Sequence, residues 1–192
     1  MKSEVKSILM AGVGGQGVLR ASDILCQVMM DSGLDVKKSE VHGMAQRGGC
    51  VTSHVRYGQK VHSPLAKKGD VEILLAFEKL ETLRYLDYLK PGGIVIINDE
   101  EMNPPSVNLG AAAYPETVVP IVRERFPSVI VVNAPELADR AGNRRAVNTV
   151  LLGVLSKYLK IEEQQWEKGI RDSFPPKTVD ANIKAFHLGR GI

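Results

Sequence analysis

The fold is indicated most clearly by residues 5–29, which read VKSILMAGVGGQGVLRASDILCQVM. Residues 5–11 form a short apolar run that ends in glycines, a pattern typical of a buried strand. After Gly15, apolar residues recur at helical spacing as far as Ser32-Gly33, where Gly33 suits the C-terminal cap of a helix. The stretch therefore predicts a strand, a glycine-rich turn and a helix in succession.

The same alternation continues along the chain. Further strands are predicted at 34–41, 50–57, 71–77, 94–97 and 129–132. Helices are predicted at 78–89, 116–126, 135–141, 144–159, 162–173 and 178–187. We expect a single α/β domain over residues 1–192, Rossmann-like, in which a mostly parallel twisted sheet has helices on both faces and a helical C-terminal part follows.

Two local features depart from a plain repeat. The segment 42–70 carries two loops and a strand where a crossover helix is expected, and its strand, 50–57, alternates in a way that predicts a half-exposed position. The last predicted helix has an apolar side, formed by Val179, Ile183, Phe186 and Leu188. We expect that side to contribute to an exposed patch that is covered in a complex and lets the isolated chain form homodimers.

Composition excludes several classes of function. The net charge is only +3 and no Lys/Arg run stands out, so nucleic acid is not an expected partner. Residues 1–5 lack the apolar core of a signal peptide, and no apolar run approaches the roughly 20 residues of a membrane span. We therefore expect a cytoplasmic protein. Cys26 and Cys50 are too few for an iron–sulfur cluster held by four thiolates, and the four histidines lack metal-ligand spacing, so no metal site is predicted.

The first glycine-rich loop, Gly12-Val13-Gly14-Gly15-Gln16-Gly17, matches GxGxxG between a strand and a helix. In that pattern Gly12 permits the tight turn, Gly14 lets backbone approach closely and Gly17 lets helix and strand pack. The first helical turn also favours an anion. The acidic residue that a dinucleotide site needs is represented only by Glu40, which leads directly into a second glycine loop. On the evidence of this loop alone, two interpretations remain open: the loop binds a ligand, or its glycines only shape a tight turn between strand and helix.

The second loop, at residues 42–49, follows the second strand and is expected at the same carboxyl edge of the sheet. Its Arg47 is flanked by glycines, and a guanidinium binds carboxylate or phosphate through paired hydrogen bonds. His42 is interpreted as a strand-end residue. We assign no catalytic residue, and we predict that ligand is bound by Gly12, Gly14, Gly15, Gln16, Gly17, Gln46, Arg47, Gly48 and Gly49.

These loops resemble those of a known family. GVGGQGVLRAS at 12–22, EVHGMAQRGGCVTSHVR at 40–56, the Ser63-Pro64 turn, Gly142-Asn143 and Asn148 are similar to the gamma domain of the 2-oxoacid:ferredoxin oxidoreductases. The resemblance extends over the full length. The HGMAQRGG form is most similar to the small (beta) subunit found in the indolepyruvate-specific branch of the family.

The resemblance implies that the chain is a subunit of an oxidoreductase and is inactive alone. The complex would convert a 2-oxoacid, in this branch an arylpyruvate, with coenzyme A and oxidised ferredoxin to an acyl-CoA, carbon dioxide and reduced ferredoxin. Large partner subunits would hold thiamine diphosphate, Mg and 4Fe-4S clusters, and this chain would complete the active site and the coenzyme A approach. The alternatives are a free-standing dinucleotide-binding reductase and a non-catalytic scaffold subunit.

Overall fold

The computed structural model describes residues 5–43 and 49–192. The strands are β1 (Lys6–Val13), β2 (Asp35–His42), β3 (Cys50–Gly58), β4 (Val71–Ala76), β5 (Leu89–Asn98) and β6 (Ser128–Val132). The helices are α1 (Val18–Asp31), α2 (Lys79–Tyr85), α3 (Pro105–Asn108), α4 (Val118–Arg125), α5 (Ala134–Ala141), α6 (Val147–Ser156), α7 (Glu163–Ser173) and α8 (Pro176–Arg190). Short 3-10 turns occupy Leu86–Tyr88 and Arg144–Ala146.

The six strands of the described residues form one sheet in the order β2-β3-β1-β4-β5-β6. β1, β4, β5 and β6 are parallel neighbours, whereas β3 runs antiparallel to both β1 and β2. β3 therefore separates β2 from β1, although these two strands point the same way. Its residues Thr52 to Val55 are buried because both faces of the strand are covered: Val55 belongs to one apolar core, and His54 packs on Tyr88 on the other face. The predicted half-exposed position of this strand is therefore wrong.

Both faces of the sheet are covered by helices, which confirms the predicted α/β class. One apolar core lies between the sheet and α1, α5, α6, α7 and α8, and includes Trp166 stacked on Phe186 at 5.8 Å between ring centroids. A smaller core on the other face involves α4 and the 3-10 turn after α2. The helical C-terminal part of the prediction corresponds to α5–α8.

The apolar side of α8 belongs to the larger core. Phe186 is fully buried, and Ile183 and Leu188 pack against the same cluster. The prediction that this side of the last helix forms an exposed patch is therefore wrong: the amphipathic pattern faces the chain's own sheet layer instead of a partner.

The helix predicted at 78–89 ends at Tyr85, and β5 begins at Leu89. Leu89 pairs with Val71 of β4, and the next paired residues are Ile94 and Ile73. The register of the two strands therefore shifts between these pairs, and the extra residues of β5 form an irregular segment that contains Gly92 at φ +76°. Glycine tolerates that backbone inside a bulged strand. The Pro-Gly-Gly sequence was predicted to follow the end of a helix, but in the structure it forms a bulge inside β5. Among the described residues, none of the helices is both long and apolar enough to cross a membrane.

Candidate functional site at the carboxyl edge of the sheet

The first glycine loop forms a tight turn between β1 and α1. The N–H of Gln16 donates to the carbonyl of Val13 (3.1 Å), which closes a four-residue turn whose third residue, Gly15, has φ +104°. Gly17 caps α1 at φ +82°, and a Cβ there would lie 3.0 Å from the Asn148 amide nitrogen. Both positions require the left-handed backbone that glycine adopts at little cost.

Gly12 serves a different purpose from the one its place in the motif predicts. It lies in β1, and a Cβ there would approach Val18 Cγ2 to 2.7 Å and Phe77 Cβ to 2.8 Å. Gly12 therefore allows the strand to pack against the start of α1 and the end of β4. The roles predicted for Gly12 and Gly17 are exchanged: Gly17 shapes the turn, and Gly12 permits the close packing.

The side chain of Gln16 holds the loop in place. Its amide oxygen accepts the N–H of Val13 (2.8 Å), and its amide nitrogen donates to the Phe77 carbonyl (3.0 Å) and to Glu100 Oε2 (3.3 Å). Asn98 Nδ2 also donates to Glu100 Oε2, at 3.0 Å. The amide thus links three segments at the carboxyl ends of β1, β4 and β5, and its contacts within the chain fix the loop.

The two glycine loops are in direct backbone contact. The N–H of Gly14 donates to the carbonyl of Gly49 at 2.8 Å. The structure thus brings Gly12, Gly14, Gly15, Gln16, Gly17 and Gly49 to one edge of the sheet, whereas Gln46, Arg47 and Gly48 lie outside the described residues. The ligand-binding role of all nine residues stays a prediction.

A cleft of about 520 Å³ lies against the first loop, and we call it the arginine cleft. Its walls comprise Gly14–Gly17, Glu100 and Met102 on one side, and Arg144, Arg145, Val147 and Asn148 on the other. The two exposed arginines are placed by a short cap: Gly142 ends α5 at φ +89°, and the Asn143 side chain accepts the N–H of Arg145 at 3.1 Å.

The arginine cleft is suited to an anion. Two arginines line it together with the first loop, against one carboxylate, Glu100, that is already held by two amides. The first turn of α1 contains no acidic residue and has no side-chain cap, so its N–H groups add to the positive potential. Sequence patterns did not indicate Arg144 and Arg145, although a glycine-asparagine cap followed by two arginines before an apolar helix is a signal that would have located them.

On its other side the first loop borders a second cleft, of about 410 Å³, which we call the histidine cleft. It is lined in part by Arg20 and the exposed His42. The Arg20 guanidinium lies 4.7 Å from the centre of the Phe174 ring and donates to the carbonyl of Ser173. His42 Nε2 is 3.9 Å from a carboxylate oxygen of Glu40.

The position of Glu40 weighs against a dinucleotide at the first loop. Its carboxylate pairs with Lys38 Nζ at 2.5 Å, and it lies on β2, which β3 separates from β1. Strands are about 4.8 Å apart, so Glu40 is about 10 Å across the sheet from β1. In a dinucleotide site the acidic residue comes from the strand directly beside the first one.

The two cysteines lie on opposite faces of the sheet. Cys26 belongs to the larger core, and Cys50 Sγ is 2.8 Å from Tyr85 Oη on the other face. Burial raises the pKa of the Cys26 thiol to about 12, and burial with the nearby Glu81 carboxylate raises that of Cys50 to about 11. Both residues are therefore neutral thiols near pH 7, and their positions do not fit a shared metal cluster.

Comparison with known proteins agrees with this architecture. The family model described as pyruvate ferredoxin/flavodoxin oxidoreductase matches residues 7–192. Indolepyruvate oxidoreductase subunit IorB of Thermococcus kodakarensis is 41% identical over 188 residues, which cover 95% of this chain and 93% of that protein. The protein of the same description from Archaeoglobus fulgidus is 42% identical over 187 residues, with 95% and 92% covered.

Solved structures show the same fold. Pyruvate oxidoreductase subunit PORC of Thermotoga maritima superposes with a TM-score of 0.75 at 21% identity, covering 98% of this chain and 96% of that one. The 2-oxoglutarate:ferredoxin oxidoreductase of Magnetococcus marinus, solved with 2-oxoglutarate, coenzyme A and succinyl-CoA bound, gives a TM-score of 0.73 at 22% identity. This match covers 98% of the present chain and 31% of the longer one, so in that enzyme the fold is one part of a larger polypeptide.

Proposed function

The chain belongs to the pyruvate ferredoxin/flavodoxin oxidoreductase family, and from its arginine cleft we propose that it is the small, gamma-type subunit that forms the coenzyme A approach in a 2-oxoacid:ferredoxin oxidoreductase complex. Its similarity to two IorB subunits supports an arylpyruvate as the oxoacid. In this proposal residues 1–192 act as one domain in the cytoplasm, and the chain contributes binding groups but no catalytic side chain.

The observation that carries the proposal is the pairing of Arg144 and Arg145 with the first glycine loop across one cleft. Coenzyme A carries phosphate groups, and guanidinium groups bind phosphate through charge-assisted, often paired hydrogen bonds. The uncapped N-terminus of α1 offers backbone donors to the same anion. A cleft of about 520 Å³ accommodates the phosphate-bearing part of such a ligand and leaves its thiol arm to extend towards a partner subunit.

The redox chemistry belongs to the partner in this proposal. Cys26 and Cys50 lie on opposite faces of the sheet as neutral thiols, so the described residues do not offer the ligands of a 4Fe-4S cluster. Large subunits would therefore hold the clusters, thiamine diphosphate and Mg, and they would pass electrons to ferredoxin. The chain's own task is to bind and orient coenzyme A beside that centre.

The test is steady-state kinetics on the reconstituted complex with Arg144→Ala and Arg145→Ala. A hydrogen bond to a charged group contributes about 1.5–3 kcal/mol, so we expect the KM for coenzyme A to rise roughly tenfold or more for each variant. The KM for the oxoacid and the elution volume of the complex should not change. Arg123→Ala is the matched control, because this exposed arginine lies on α4, which packs on the other face of the sheet.

The same measurements separate the alternatives. An unchanged KM for coenzyme A with an intact complex would contradict the proposal and favour a scaffold subunit. Stoichiometric dinucleotide bound to the isolated chain would favour the free-standing reductase. The position of β3 between β1 and β2 weighs against that alternative, because it separates Glu40 from the first loop.

A further inference from the structure

A partly enclosed cavity of about 180 Å³ lies beneath the carboxyl edge, between the end of β1, the start of β3 and the start of α2. We call it the glutamate cavity because two carboxyl side chains, Glu78 and Glu81, line it. Val13 and Cys50, which pair across the two strands, form its floor, and the exposed Asn103 is at its rim. The cavity is distinct from the arginine cleft, although the two share Met102 as a wall.

Glu78 is fully occupied by contacts within the chain. Its Oε2 accepts the N–H of Glu81 at 3.0 Å and so caps α2. Its Oε1 accepts the N–H of Met102 (3.2 Å) and the hydroxyl of Tyr114 (2.5 Å). This carboxylate is therefore a structural element that holds α2 and the segment after β5 together.

Glu81 is only half satisfied. Its side chain is 6% exposed, and its Oε1 pairs with Arg84 Nε at 3.0 Å. Its Oε2 is buried, and no donor within residues 5–43 and 49–192 meets hydrogen-bond geometry with it. The Cys50 thiol beside the carboxyl group, which lowers its pKa, is only a weak donor. A buried carboxylate oxygen without a donor costs considerable free energy, so natural proteins rarely retain one without a partner from elsewhere.

The charges around the cavity define what this partner must be. Two carboxyl groups face one guanidinium, that of Arg84, whereas Cys50 and Tyr85 are neutral. Burial raises the pKa of the Glu81 carboxyl, although Cys50 and Arg84 beside it oppose the shift. A positively charged donor would satisfy Oε2 and offset the second negative charge, and about 180 Å³ holds a side-chain head group but not a cofactor.

We propose that the glutamate cavity receives the ammonium or guanidinium group of a lysine or arginine side chain of the large partner subunit, which donates to Glu81 Oε2. The proposal rests on the assembly proposed above but not on coenzyme A binding. The cavity opens at the same edge as the glycine loops, so the contact would anchor the subunits next to the proposed active site.

The first test is the affinity of the assembled subunits. In a complex reconstituted with Glu81→Gln, which keeps the shape and the acceptor towards Arg84, we expect the dissociation constant to rise by roughly 30-fold or more, because the partner's buried cation loses its counter-charge. Glu124→Gln, an exposed glutamate of α4, is the control and should bind as the wild type does. The KM for coenzyme A of the complex saturated with subunit should stay unchanged, which separates this result from any failure of the arginine cleft.

The second test is proton release on assembly. Because the pKa of the Glu81 carboxyl is raised in the free chain, a cation that arrives beside it lowers this pKa and shifts the carboxyl towards its ionised form. Titration calorimetry in buffers of different ionisation enthalpy, repeated from pH 5 to 7, should therefore detect released protons for the wild type and fewer for Glu81→Gln.

The isolated chain provides the check on folding. An acid whose pKa is raised on folding stabilises the native state fully below its unfolded pKa, near 4.5, and loses that contribution as pH rises through the higher native value. Glu81→Gln should therefore unfold at a higher urea concentration than the wild type at pH 7, with a smaller difference at pH 4. An affinity within twofold of the wild type, together with equal proton release, would overturn the proposal and leave water as the occupant of the cavity.

Discussion

Two glycines at the contact of α6 with α8 allow a sharp prediction about stability. A Cβ on Gly153 would lie 2.1 Å from the carbonyl oxygen of Phe186, and a Cβ on Gly189 would lie 2.0 Å from that of Val150. Real Cβ atoms do not approach backbone oxygens so closely, so Gly153→Ala must push the helices apart by more than an ångström. The obstacle is backbone, which cannot rotate away as a side chain can.

The expected cost follows from two opposing terms. Alanine favours a helix over glycine by about 1 kcal/mol, whereas overpacking a tight core costs about 1–3 kcal/mol and more against rigid backbone. Because the obstacle is backbone, the overpacking cost lies at the upper end, about 3 kcal/mol, and we expect Gly153→Ala to lower the free energy of unfolding by about 2 kcal/mol net. For a chain of this size that is a fall in Tm of roughly 4–8 °C.

Urea unfolding followed by circular dichroism measures this change. Gly191→Ala is the control, because its Cβ would meet no atom closer than 3.5 Å at an ordinary backbone angle. The double variant of Gly153 and Gly189 should cost less than the sum of the two single changes, since one separation of the helices relieves both clashes. If Gly153→Ala were as stable as Gly191→Ala, the backbone contact between α6 and α8 would be refuted.

Two further changes test the glycine loops. Gly17→Val places a β-branched residue at φ +82° beside Asn148, so it should destabilise the chain by about 2 kcal/mol and abolish activity of the complex. A variant that unfolds at the same urea concentration as the wild type would contradict this. Arg47→Ala should impair KM or turnover without dissociating the subunits, and Arg47→Lys should recover only part of the activity because the paired hydrogen-bond geometry is lost. Normal kinetics in a complex that falls apart on size-exclusion chromatography would instead make Arg47 an interface residue.

The sequence predicted those parts of the fold that depend on local periodicity. The strand-turn-helix at residues 5–31 follows directly from apolar spacing and glycine, and β1 and α1 are where the pattern places them. The position of β3 between β1 and β2 was not predictable, because alternation along one strand does not reveal how many neighbours that strand has. The start of β5 was missed for a related reason: its pairing with β4 outweighs the local effect of Pro91-Gly92-Gly93.

The candidate site shows the same division between local and long-range information. The first loop was located from its motif, but Arg144 and Arg145 reach it only through the packing of α6 against the sheet. No sequence motif singles out Glu81, and only the tertiary structure shows it to be buried. Local patterns located the backbone of the site, and long-range packing supplied its charged side chains.

The order of the sheet also has a consequence for how the chain folds. β1 is made first, yet it pairs with β3 on one side and β4 on the other, so Ile8 meets Val55 and Ile73 only after both have been synthesised. Contacts between residues so distant in sequence form slowly, because a long loop must close before they are gained. On the ribosome this apolar strand therefore keeps at least one unpaired edge until residue 76 has emerged, and an unpaired apolar edge makes the nascent chain prone to aggregate. Among the interior strands of the described sheet, the first to be synthesised thus waits longest for its second neighbour.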